Sequence, residues 1–391
     1  MDWQDMRILQ LHSRHSSVGG ADRVVSTEAT ALIRGGMEVK QYLTTPVSVA
    51  GGRFAPAVEA IWNRDAQREV DEKIRDWQPD VVHLHTPFPG LSLAPIRTAR
   101  SHGVPVVWTM HSFRSTCVAG TLIRDGRECR ECVGSSSKLP AVLHGCYHQS
   151  RLRSAVMASG LAIHRAVRTV PDLVDLYLPL TEGAGRILGA DGVPSSKIRV
   201  KPNFLLDRTV PVVPTPSSSP YVVFAGRLVP EKGVDTLIAA ARKLRESGNS
   251  LRIVVAGDGP LADVVLAAES SGLVEYMGWL DEEGLLSLMA GAHALVLPSL
   301  WPEGMPISAL QALSVGTPVV YAGHENLHDV IGSSAGAAFG VGDEGDLAGC
   351  LSRLDQLDLM RQHAYDRFAS LYSESVGLSN LLEAYETVTR R

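Results

Sequence analysis

The chain alternates short apolar runs with longer segments of helical periodicity, in two successive series. The first contains the runs RILQLHS, DVVHLH, PVVWTMHS and LYLPLT, separated by segments such as ADRVVSTEATALIRGG. The second contains YVVFAGRL, LRIVVAGDG, VEYMGWL, ALVLPSL and TPVVYAG. Strands that alternate with helices predict parallel sheets covered by helices on both faces. The pattern therefore predicts an α/β protein with two doubly wound, Rossmann-like domains facing a cleft, the usual place for a ligand.

A stretch rich in Pro and Ser separates the two series. Residues 206–220, LDRTVPVVPTPSSSP, have no hydrophobic periodicity and predict a linker. An N-terminal domain then covers residues 1–205 and a C-terminal domain covers residues 221–365. Residues 366–391 belong to a helical segment that ends the chain.

Composition and charge narrow the class of protein. The chain has 391 residues, a length typical of two domains, and it is 45% hydrophobic and 20% charged. Its net charge of −5 gives no indication of a nucleic-acid partner. No apolar run approaches the roughly 18 residues that span a bilayer, and the acidic start MDWQDMRILQLHS is unlike a signal peptide. We therefore expect a cytoplasmic protein, in which thiols stay reduced.

Residues 296–320, VLPSLWPEGMPISALQALSVGTPVV, carry the strongest functional signal. They predict a buried strand, a sharp turn with Glu303 and Gly304, a helix from about Pro306 to Leu313, and a second strand. The helix N-terminus would open where strand ends gather, and its free N–H groups favour an anion. Glu303 beside it is suited to hold sugar hydroxyls. The segment therefore predicts a site for a phosphorylated sugar.

A second candidate loop follows the strand YVVFA. After Ala225 come Gly226, Arg227 and, five residues later, Lys232. Two cations in a loop at the carboxyl end of a strand can clamp a diphosphate and stabilise charge on a leaving group without a metal. Taken alone, the two side chains are more typical of solvated surface charges. Together with the turn at residue 303, they favour a binding site.

The motifs FAGRLVPEKG and PEGMPISALQALSVGTPVV resemble family 4 of the retaining glycosyltransferases, the glycosyl transferases group 1, which have the GT-B fold. The resemblance implies a hexosyltransferase that uses a nucleoside-diphosphate sugar, needs no metal for catalysis and retains the anomeric configuration. It also implies that the terminal helix crosses back onto the N-terminal domain. It further implies roles for Arg227 and Lys232 on the donor diphosphate, and for Glu303 with the backbone of Gly304, Met305 and Pro306 on the donor sugar.

One position departs from the family pattern. The family has two glutamates separated by seven residues, and Gln311 stands in the second place. In the family this carboxylate accepts hydrogen bonds from both ribose hydroxyls, whereas an amide offers one acceptor and one donor group. Hydrogen bonds to charged groups contribute about 1.5–3 kcal/mol against about 0.5–1.5 for neutral ones. We expect donor binding weaker by roughly 1 kcal/mol, up to tenfold, unless the ribose is held differently or the donor is unusual.

Two features of the N-terminal domain are further candidates. Gly19 and Gly20 precede a helix, and glycines there either let the backbone approach a phosphate or simply form a turn. His111 ends the strand PVVWTMHS, where a lone histidine is more often structural than catalytic. The family has a similar Gly-Gly near the donor phosphates or acceptor, and a histidine near the donor's sugar and phosphate. By that resemblance, an N–H of His111 would stabilise the leaving group or the sugar hydroxyls.

A cysteine cluster lies in a predicted insertion at about residues 115–150. Cys117, Cys129, Cys132 and Cys146 have the spacing C-x11-C-x2-C-x13-C. A C-x2-C pair with two further thiols completes a tetrahedral set for zinc, ahead of an iron–sulfur cluster. The segment is rich in Gly, Ser and charge, so a metal would help to order it. The alternative is four reduced thiols in a flexible loop. Some members of the family have a similar insertion, which the transfer chemistry does not require.

The span from Cys132 to Pro171 contains no acidic residue but several basic ones. We expect a solvated helix face or, alternatively, a surface for a negatively charged acceptor or a membrane. That alternative would place the protein peripherally at the inner membrane face. The basic residues of this span are Lys138, Arg151, Arg153, Arg165 and Arg168.

The acceptor class stays open between a carbohydrate, a lipid-linked molecule and a small molecule. Two other functions are compatible with the same fold. One is a different enzyme, such as a phosphorylase or a nucleotide-sugar epimerase. The other is a non-catalytic protein that binds a sugar nucleotide, for which Gln311 is the sequence hint.

Overall fold

A computed structural model describes residues 5–14, 19–44, 55–207 and 216–390. Contacts between backbone segments divide the chain into two compact units. The N-terminal unit comprises the chain up to Leu206 together with Glu374–Arg391, and the C-terminal unit comprises Asp207–Ser373. Of the predicted linker, residues 208–215 lie outside the described residues.

The N-terminal unit contains a five-stranded parallel sheet in the order β2-β1-β3-β4-β7, and a separate antiparallel hairpin of β5 and β6. Its strands are β1 (Arg7–Ser13), β2 (Glu38–Thr44), β3 (Val81–Leu84), β4 (Val106–Met110), β5 (Ile123–Arg124), β6 (Arg127–Glu128) and β7 (Leu176–Pro179). Its first seven helices are α1 (Gly20–Arg34), α2 (Ala55–Ile61), α3 (Arg64–Trp77), α4 (Ala94–Ser101), α5 (Leu139–Leu143), α6 (Arg151–Ala166) and α7 (Glu182–Ala190).

The C-terminal unit contains a six-stranded parallel sheet in the order β10-β9-β8-β11-β12-β13. Its strands are β8 (Tyr221–Ala225), β9 (Arg252–Ala256), β10 (Glu275–Gly278), β11 (Ala294–Leu297), β12 (Val319–Ala322) and β13 (Gly336–Phe339). Its helices are α8 (Val234–Glu246), α9 (Ala262–Ser270), α10 (Glu282–Gly291), α11 (Ile307–Ser314), α12 (Glu325–Ile331), α13 (Glu344–Leu351), α14 (Leu354–Asp358) and α15 (Arg361–Leu371).

The central strands of both sheets are buried on both faces because helices cover both sides. All residues of β3, β4, β11 and β12 are buried. This continuous burial explains why the apolar runs in the sequence do not alternate with polar residues. The predicted α/β class with parallel, doubly wound sheets in two domains is confirmed.

The end of the chain differs from the single helical segment that the sequence predicts. Helix α15 ends at Leu371, and a separate helix, α16 (Glu374–Thr389), follows it. Helix α15 belongs to the C-terminal unit, since Arg367 donates hydrogen bonds of 2.6 Å to the carbonyls of Asp329 and Val330. The buried Tyr372 hydroxyl donates to the Val330 carbonyl at 2.8 Å. Because of these contacts, the C-terminal unit extends to Ser373, beyond the expected end at residue 365.

Helix α16 supplies part of the core of the N-terminal unit. Leu381, Ala384 and Tyr385 are fully buried and share one hydrophobic cluster with Ile8 and Val107 of the sheet. Gly377 faces the ring of Phe204 so closely that a Cβ at residue 377 would lie 2.1 Å from the ring. No helix among the described residues is long and apolar enough to cross a membrane.

The contact of Gly377 with Phe204 predicts an effect on stability. An alanine in a helix is ordinarily more stable than a glycine by up to about 1 kcal/mol. Gly377→Ala should instead destabilise the protein by about 1–3 kcal/mol, because the Phe204 ring must move. Gly349→Ala is the matched control, since Gly349 lies in α13 and its Cβ would meet no atom within 4 Å. Urea unfolding of both variants tests this, and equal midpoints would contradict the packing described.

Candidate functional site

The C-terminal unit brings two predicted loops together at the point where its strand order reverses. Strand β8 lies between β9 and β11, so the connections that leave β8 and β11 run to opposite sides of the sheet. Ligands of open α/β sheets bind at such switch points, beyond the carboxyl ends of the strands. The loop after β8 carries Arg227 and Lys232, and the turn after β11 carries Glu303.

Gly233 lets the two loops approach each other. It follows the 3₁₀ turn Pro230–Lys232 and has φ +71°, in the left-handed region that favours glycine. A Cβ at residue 233 would lie 1.8 Å from the Pro298 carbonyl oxygen, so no other residue fits without a backbone shift. The Leu300 N–H then donates to the Glu231 carbonyl at 2.9 Å. The glycine and this hydrogen bond place Lys232 beside the turn at residue 303.

Glu303 is buried, with 4% of its surface exposed, and both of its carboxylate oxygens are hydrogen-bonded. Lys232 Nζ donates to Oε2 and forms an ion pair, and the Ser299 hydroxyl donates to Oε1. The ammonium also lies 5.9 Å from the centre of the Trp301 ring, a cation–π distance. The carboxylate is therefore held in one orientation by partners from both loops.

Arg227 lies on the same loop and does not join this pair. It is exposed, and its side chain makes no hydrogen bond or ion pair with the described residues. Gly226 directly follows β8, as the sequence predicts. The site thus combines a fixed lysine–glutamate pair with a guanidinium that remains available to an anion.

The residues after Glu303 lead into α11. Gly304 is half-buried, and Met305 is buried. Pro306 was expected in the first turn of the helix, but it precedes the helix in an extended conformation with φ −69° and ψ 128°. Its ring restricts φ there without removing an N–H that the helix needs. The predicted helix is otherwise observed, one residue later at each end.

Gln311 has a partner that sequence reasoning missed. The side chain is buried in α11, and its Nε2 donates to Glu282 Oε1 on α10 at 3.4 Å. A carboxylate therefore does lie beside position 311, supplied by another helix. The sequence signal is the acidic start of α10, Asp281-Glu282-Glu283, which also reads as an ordinary helix N-terminus.

In the N-terminal unit, a cluster of buried polar side chains lies near the carboxyl ends of β1, β3 and β4. Its centre is Glu28 of α1, which is fully buried and forms an ion pair with the fully buried Lys201. Glu28 Oε2 lies 3.7 Å from His83 Nδ1 and 3.7 Å from His85 Nε2. His85 Nδ1 is 3.0 Å from His111 Nε2. The predicted site residue His111 is thus the outer member of a network that the sequence did not reveal.

The histidines of this network are neutral. Burial lowers the pKa of His83, His85 and His111 well below the ordinary value, and the Lys201 ammonium contributes to each shift. Burial raises the pKa of Glu28, while Lys201 opposes that shift. Each imidazole therefore carries a single N–H at neutral pH.

Glu28, His83 and His85 form the one group of three or more potential ligands in the described residues whose ligand atoms all lie within 4.8 Å of one another. Both nitrogens of His83 are already hydrogen-bonded, to the Tyr385 hydroxyl at 2.7 Å and the Thr109 hydroxyl at 2.8 Å. The Lys201 ammonium occupies the place of a cation beside Glu28. A metal is therefore unfavourable at this group, because it would compete with Lys201 and with the hydrogen bonds of His83.

The predicted Gly-Gly pair lies at the start of α1. The Gly19 N–H donates to Asp22 Oδ2 at 2.8 Å, and Asp22 Oδ1 lies 3.1 Å from His12 Nε2. Gly20 begins the helix. The preceding residues 15–18 lie outside the described residues. A role of the two glycines in donor binding stays a prediction.

The four clustered cysteines are all free thiols. Burial, followed by nearby thiols of the cluster, raises the pKa of Cys132 and Cys146. No three of the sulfurs come within 4.8 Å of one another. The four sulfurs therefore do not form the compact tetrahedral arrangement of a zinc-bound site.

A buried ionic contact anchors this insertion and removes Lys138 from the expected basic surface. Lys138 is 1% exposed, and its ammonium donates to the Cys132 carbonyl at 2.9 Å and to Asp191 Oδ1 at 2.7 Å. Arg165 also pairs with Asp191, and Arg168 pairs with Asp172. The acidic partners lie later in the sequence than the acid-free span. Arg151, Arg153 and Arg168 are exposed, and their contact with a negatively charged acceptor or a membrane stays a prediction.

Two family models match the chain. The model described as Glycosyl transferases group 1 matches residues 208–366, and the Glycosyl transferase 4-like domain matches residues 19–203. The 2-deoxystreptamine glucosyltransferase of Streptomyces kanamyceticus is 28% identical over 280 residues, 69% of this chain and 66% of that protein, slightly under two thirds. The phosphatidyl-myo-inositol mannosyltransferase of Mycobacterium leprae is 26% identical over 350 residues, 87% of this chain and 80% of that protein.

Solved structures show the same fold at low sequence identity. The lipopolysaccharide outer core galactosyltransferase WaaB matches with a TM-score of 0.66 at 17% identity, over 98% of this chain and 99% of that one. Anabaena HepE in complex with UDP-glucose matches with a TM-score of 0.65 at 16% identity, over 98% of this chain and 100% of that one. These likenesses confirm the predicted GT-B fold.

The contact of Gln311 with Glu282 predicts that a glutamate is unfavourable at position 311. Gln311→Glu should destabilise the protein by about 1–3 kcal/mol, because two carboxylates would meet at a partly buried site. The swap Glu282→Gln with Gln311→Glu should recover most of that loss, since it restores one carboxylate and one amide. Urea unfolding of the two single variants and the double variant gives the coupling energy. A coupling energy near zero would contradict the contact.

Proposed function

The chain belongs to the glycosyl transferases group 1 family, and we propose that it moves a hexosyl-type sugar from a nucleoside-diphosphate sugar to an acceptor hydroxyl. The observation that carries this proposal is the ion pair of Lys232 with Glu303, held at the switch point between β8 and β11. Arg227, exposed on the same loop, adds a second cation. Two cations and a fixed carboxylate suit a diphosphate joined to a sugar.

The two cations act on the leaving group in this proposal. As the bond between the anomeric carbon and the phosphate oxygen breaks, negative charge grows on the diphosphate. The guanidinium of Arg227 can bind two phosphate oxygens at once, and the ammonium of Lys232 adds a point charge. Positive groups that are already positioned stabilise this charge without reorganisation at the moment of reaction.

Glu303 acts on the sugar. With its oxygens held by Lys232 and Ser299, the carboxylate still has lone pairs for sugar hydroxyls. Its fixed orientation favours one placement of the anomeric carbon relative to the acceptor. Attack from the face that the diphosphate leaves would retain the anomeric configuration, and retention is part of our proposal.

The printed names of similar proteins suggest the first donors to test. They include glucosyl- and mannosyltransferases, and HepE was solved with UDP-glucose. We propose UDP-glucose and GDP-mannose as starting probes. A carbohydrate, a lipid-linked molecule and a small molecule are all compatible acceptors.

A thermal-shift screen followed by a donor-cleavage assay tests the site. A nucleotide sugar at a hundred times its dissociation constant should stabilise the protein by about 2.7 kcal/mol. Glu303→Gln keeps the shape of the side chain and removes its charge. With the donor that the screen identifies, this variant should turn over about ten- to a hundredfold more slowly, the loss of about 1.5–3 kcal/mol expected for a hydrogen bond to a charged group.

Glu275→Gln is the matched control for that assay. Glu275 forms a bidentate pair with Arg252 in the same unit, with both contacts at 2.6 Å, and both side chains are exposed. Its replacement should leave turnover unchanged. Normal turnover in Glu303→Gln would contradict the assigned role. Donor binding without any cleavage in the unsubstituted protein would favour the non-catalytic alternative, and cleavage that needs free phosphate would favour a phosphorylase.

We also propose that Cys117, Cys129, Cys132 and Cys146 bind one structural zinc ion, apart from the transfer chemistry. Cys132 and Cys146 each lie near other thiols of the cluster, and Cys129, Cys132 and Cys146 lie at hydrogen-bonded turns. A bound zinc ion would draw the four sulfurs to roughly 2.3 Å from the metal. Binding would also remove the cost that burial imposes on a thiolate, because a bound metal stabilises that form.

Metal analysis of protein purified without chelator tests the zinc site. We expect about one zinc per chain, reduced to a small fraction in Cys132→Ser. Cys350→Ser is the control, because Cys350 is buried in α13, outside the cluster, and this variant should keep its zinc. Protein without zinc, or with iron in its place, would contradict the proposal.

A further inference from the structure

His85 and His111 share a single hydrogen bond, and its direction determines what His111 offers to a ligand. The two nitrogens, His85 Nδ1 and His111 Nε2, are 3.0 Å apart. Both rings are neutral, so each has one N–H and one bare nitrogen. One ring must therefore donate and the other accept.

Glu28 decides which ring donates. Its Oε2 lies 3.7 Å from His85 Nε2, and neither atom has a hydrogen-bond partner among the described residues. A bare nitrogen facing a carboxylate oxygen would leave two buried acceptors opposed, and each unsatisfied group costs about 1–3 kcal/mol. With a proton on Nε2, the same two atoms are a donor and an acceptor that a small movement joins. His85 therefore carries its proton on Nε2, and its Nδ1 is bare.

His83 cannot replace His85 as the hydrogen-bond donor to Glu28 Oε2. Its Nδ1 is equally far from Glu28 Oε2, but it is hydrogen-bonded to the Tyr385 hydroxyl at 2.7 Å. Its Nε2 is engaged by the Thr109 hydroxyl. Lys201 donates to the other oxygen of Glu28. His85 is therefore the remaining donor that can reach Glu28 Oε2 within the network.

The proton of His111 follows from that of His85. Because His85 Nδ1 is a bare acceptor, His111 must donate through Nε2, and its own Nδ1 is then bare. Within the described residues His111 makes no other side-chain hydrogen bond, and the residue is only partly buried. A bare imidazole nitrogen accepts a hydrogen bond from a hydroxyl and repels a phosphate oxygen.

We propose that His85 is a positioning residue that, together with Glu28, holds the proton of His111 on Nε2, so that His111 Nδ1 accepts a hydrogen bond from a sugar hydroxyl. The identity of the ligand rests on the proposed function, whereas the proton position does not. The expected role of His111 was that of an N–H donor to the leaving group or to the sugar hydroxyls, whereas a bare Nδ1 would accept. His111 would then contribute to recognition of the sugar.

Nitrogen NMR of protein labelled with ¹⁵N-histidine tests the proton positions without any ligand or activity. Spectra at neutral pH distinguish protonated from bare imidazole nitrogens, and His111→Gln and His85→Leu identify the signals. His164 is an internal reference, since its Nε2 lies 3.0 Å from the Ile61 carbonyl, which can only accept. We expect the proton of both His85 and His111 on Nε2. A His111 proton on Nδ1 would overturn the proposal.

His85→Leu tests whether His85 sets the position. The variant should convert the His111 signals into those of a mixture of both tautomers, while His164 is unchanged. If His111 keeps its proton on Nε2 in this variant, His85 is not the positioning residue. Should the variant fail to fold, the spectrum of the unsubstituted protein still decides the proton positions. The NMR result does not depend on transferase activity, so it would stand even if the protein proved not to be a transferase.

Discussion

Each unit of this chain buries one glutamate that is held by a lysine, and the polar architecture of the unit is arranged around that pair. A buried carboxylate without a partner costs about 3–5 kcal/mol, so the fold must bring a cation to it. In the N-terminal unit Lys201 meets Glu28, and in the C-terminal unit Lys232 meets Glu303. The first pair is fully buried and orients histidines. The second is open enough at the lysine to meet a ligand.

Both pairs lie where parallel strands end, because a doubly wound sheet collects its strand ends at one edge. The position alone would not make contact between the two loops of the C-terminal unit. Contact requires the close approach of Gly233 to the Pro298 carbonyl, which a side chain would prevent. The donor-binding arrangement that we propose therefore depends on a backbone feature as much as on its charged side chains. The histidine network depends likewise on Tyr385, contributed by the last helix of the chain.

The sequence predicted the α/β class, the family and the loops that carry Arg227, Lys232 and Glu303, because each is indicated by a pattern of residues close together in the chain. It did not predict Glu282 beside Gln311, which are 29 residues apart, or Lys201 beside Glu28, which are 173 apart. It placed Lys138 on a basic surface, since its partner Asp191 lies beyond the acid-free span. It also joined two terminal helices, because the anchors of Arg367 are carbonyls that no sequence pattern marks.

By itself the sequence determined which residues carry chemistry and on which strand or helix end they lie. Periodicity and short motifs are local, and local backbone preferences fix them. Only the tertiary structure decided the partners, namely which cation pairs with which carboxylate and which histidines lie beside Glu28. Those outcomes depend on distances between segments far apart in the chain, and on burial, which shifts pKa values and penalises every unpaired group. For that reason Glu303 could be recognised from its motif, whereas the contact of His111 with His85, beside Glu28, could not.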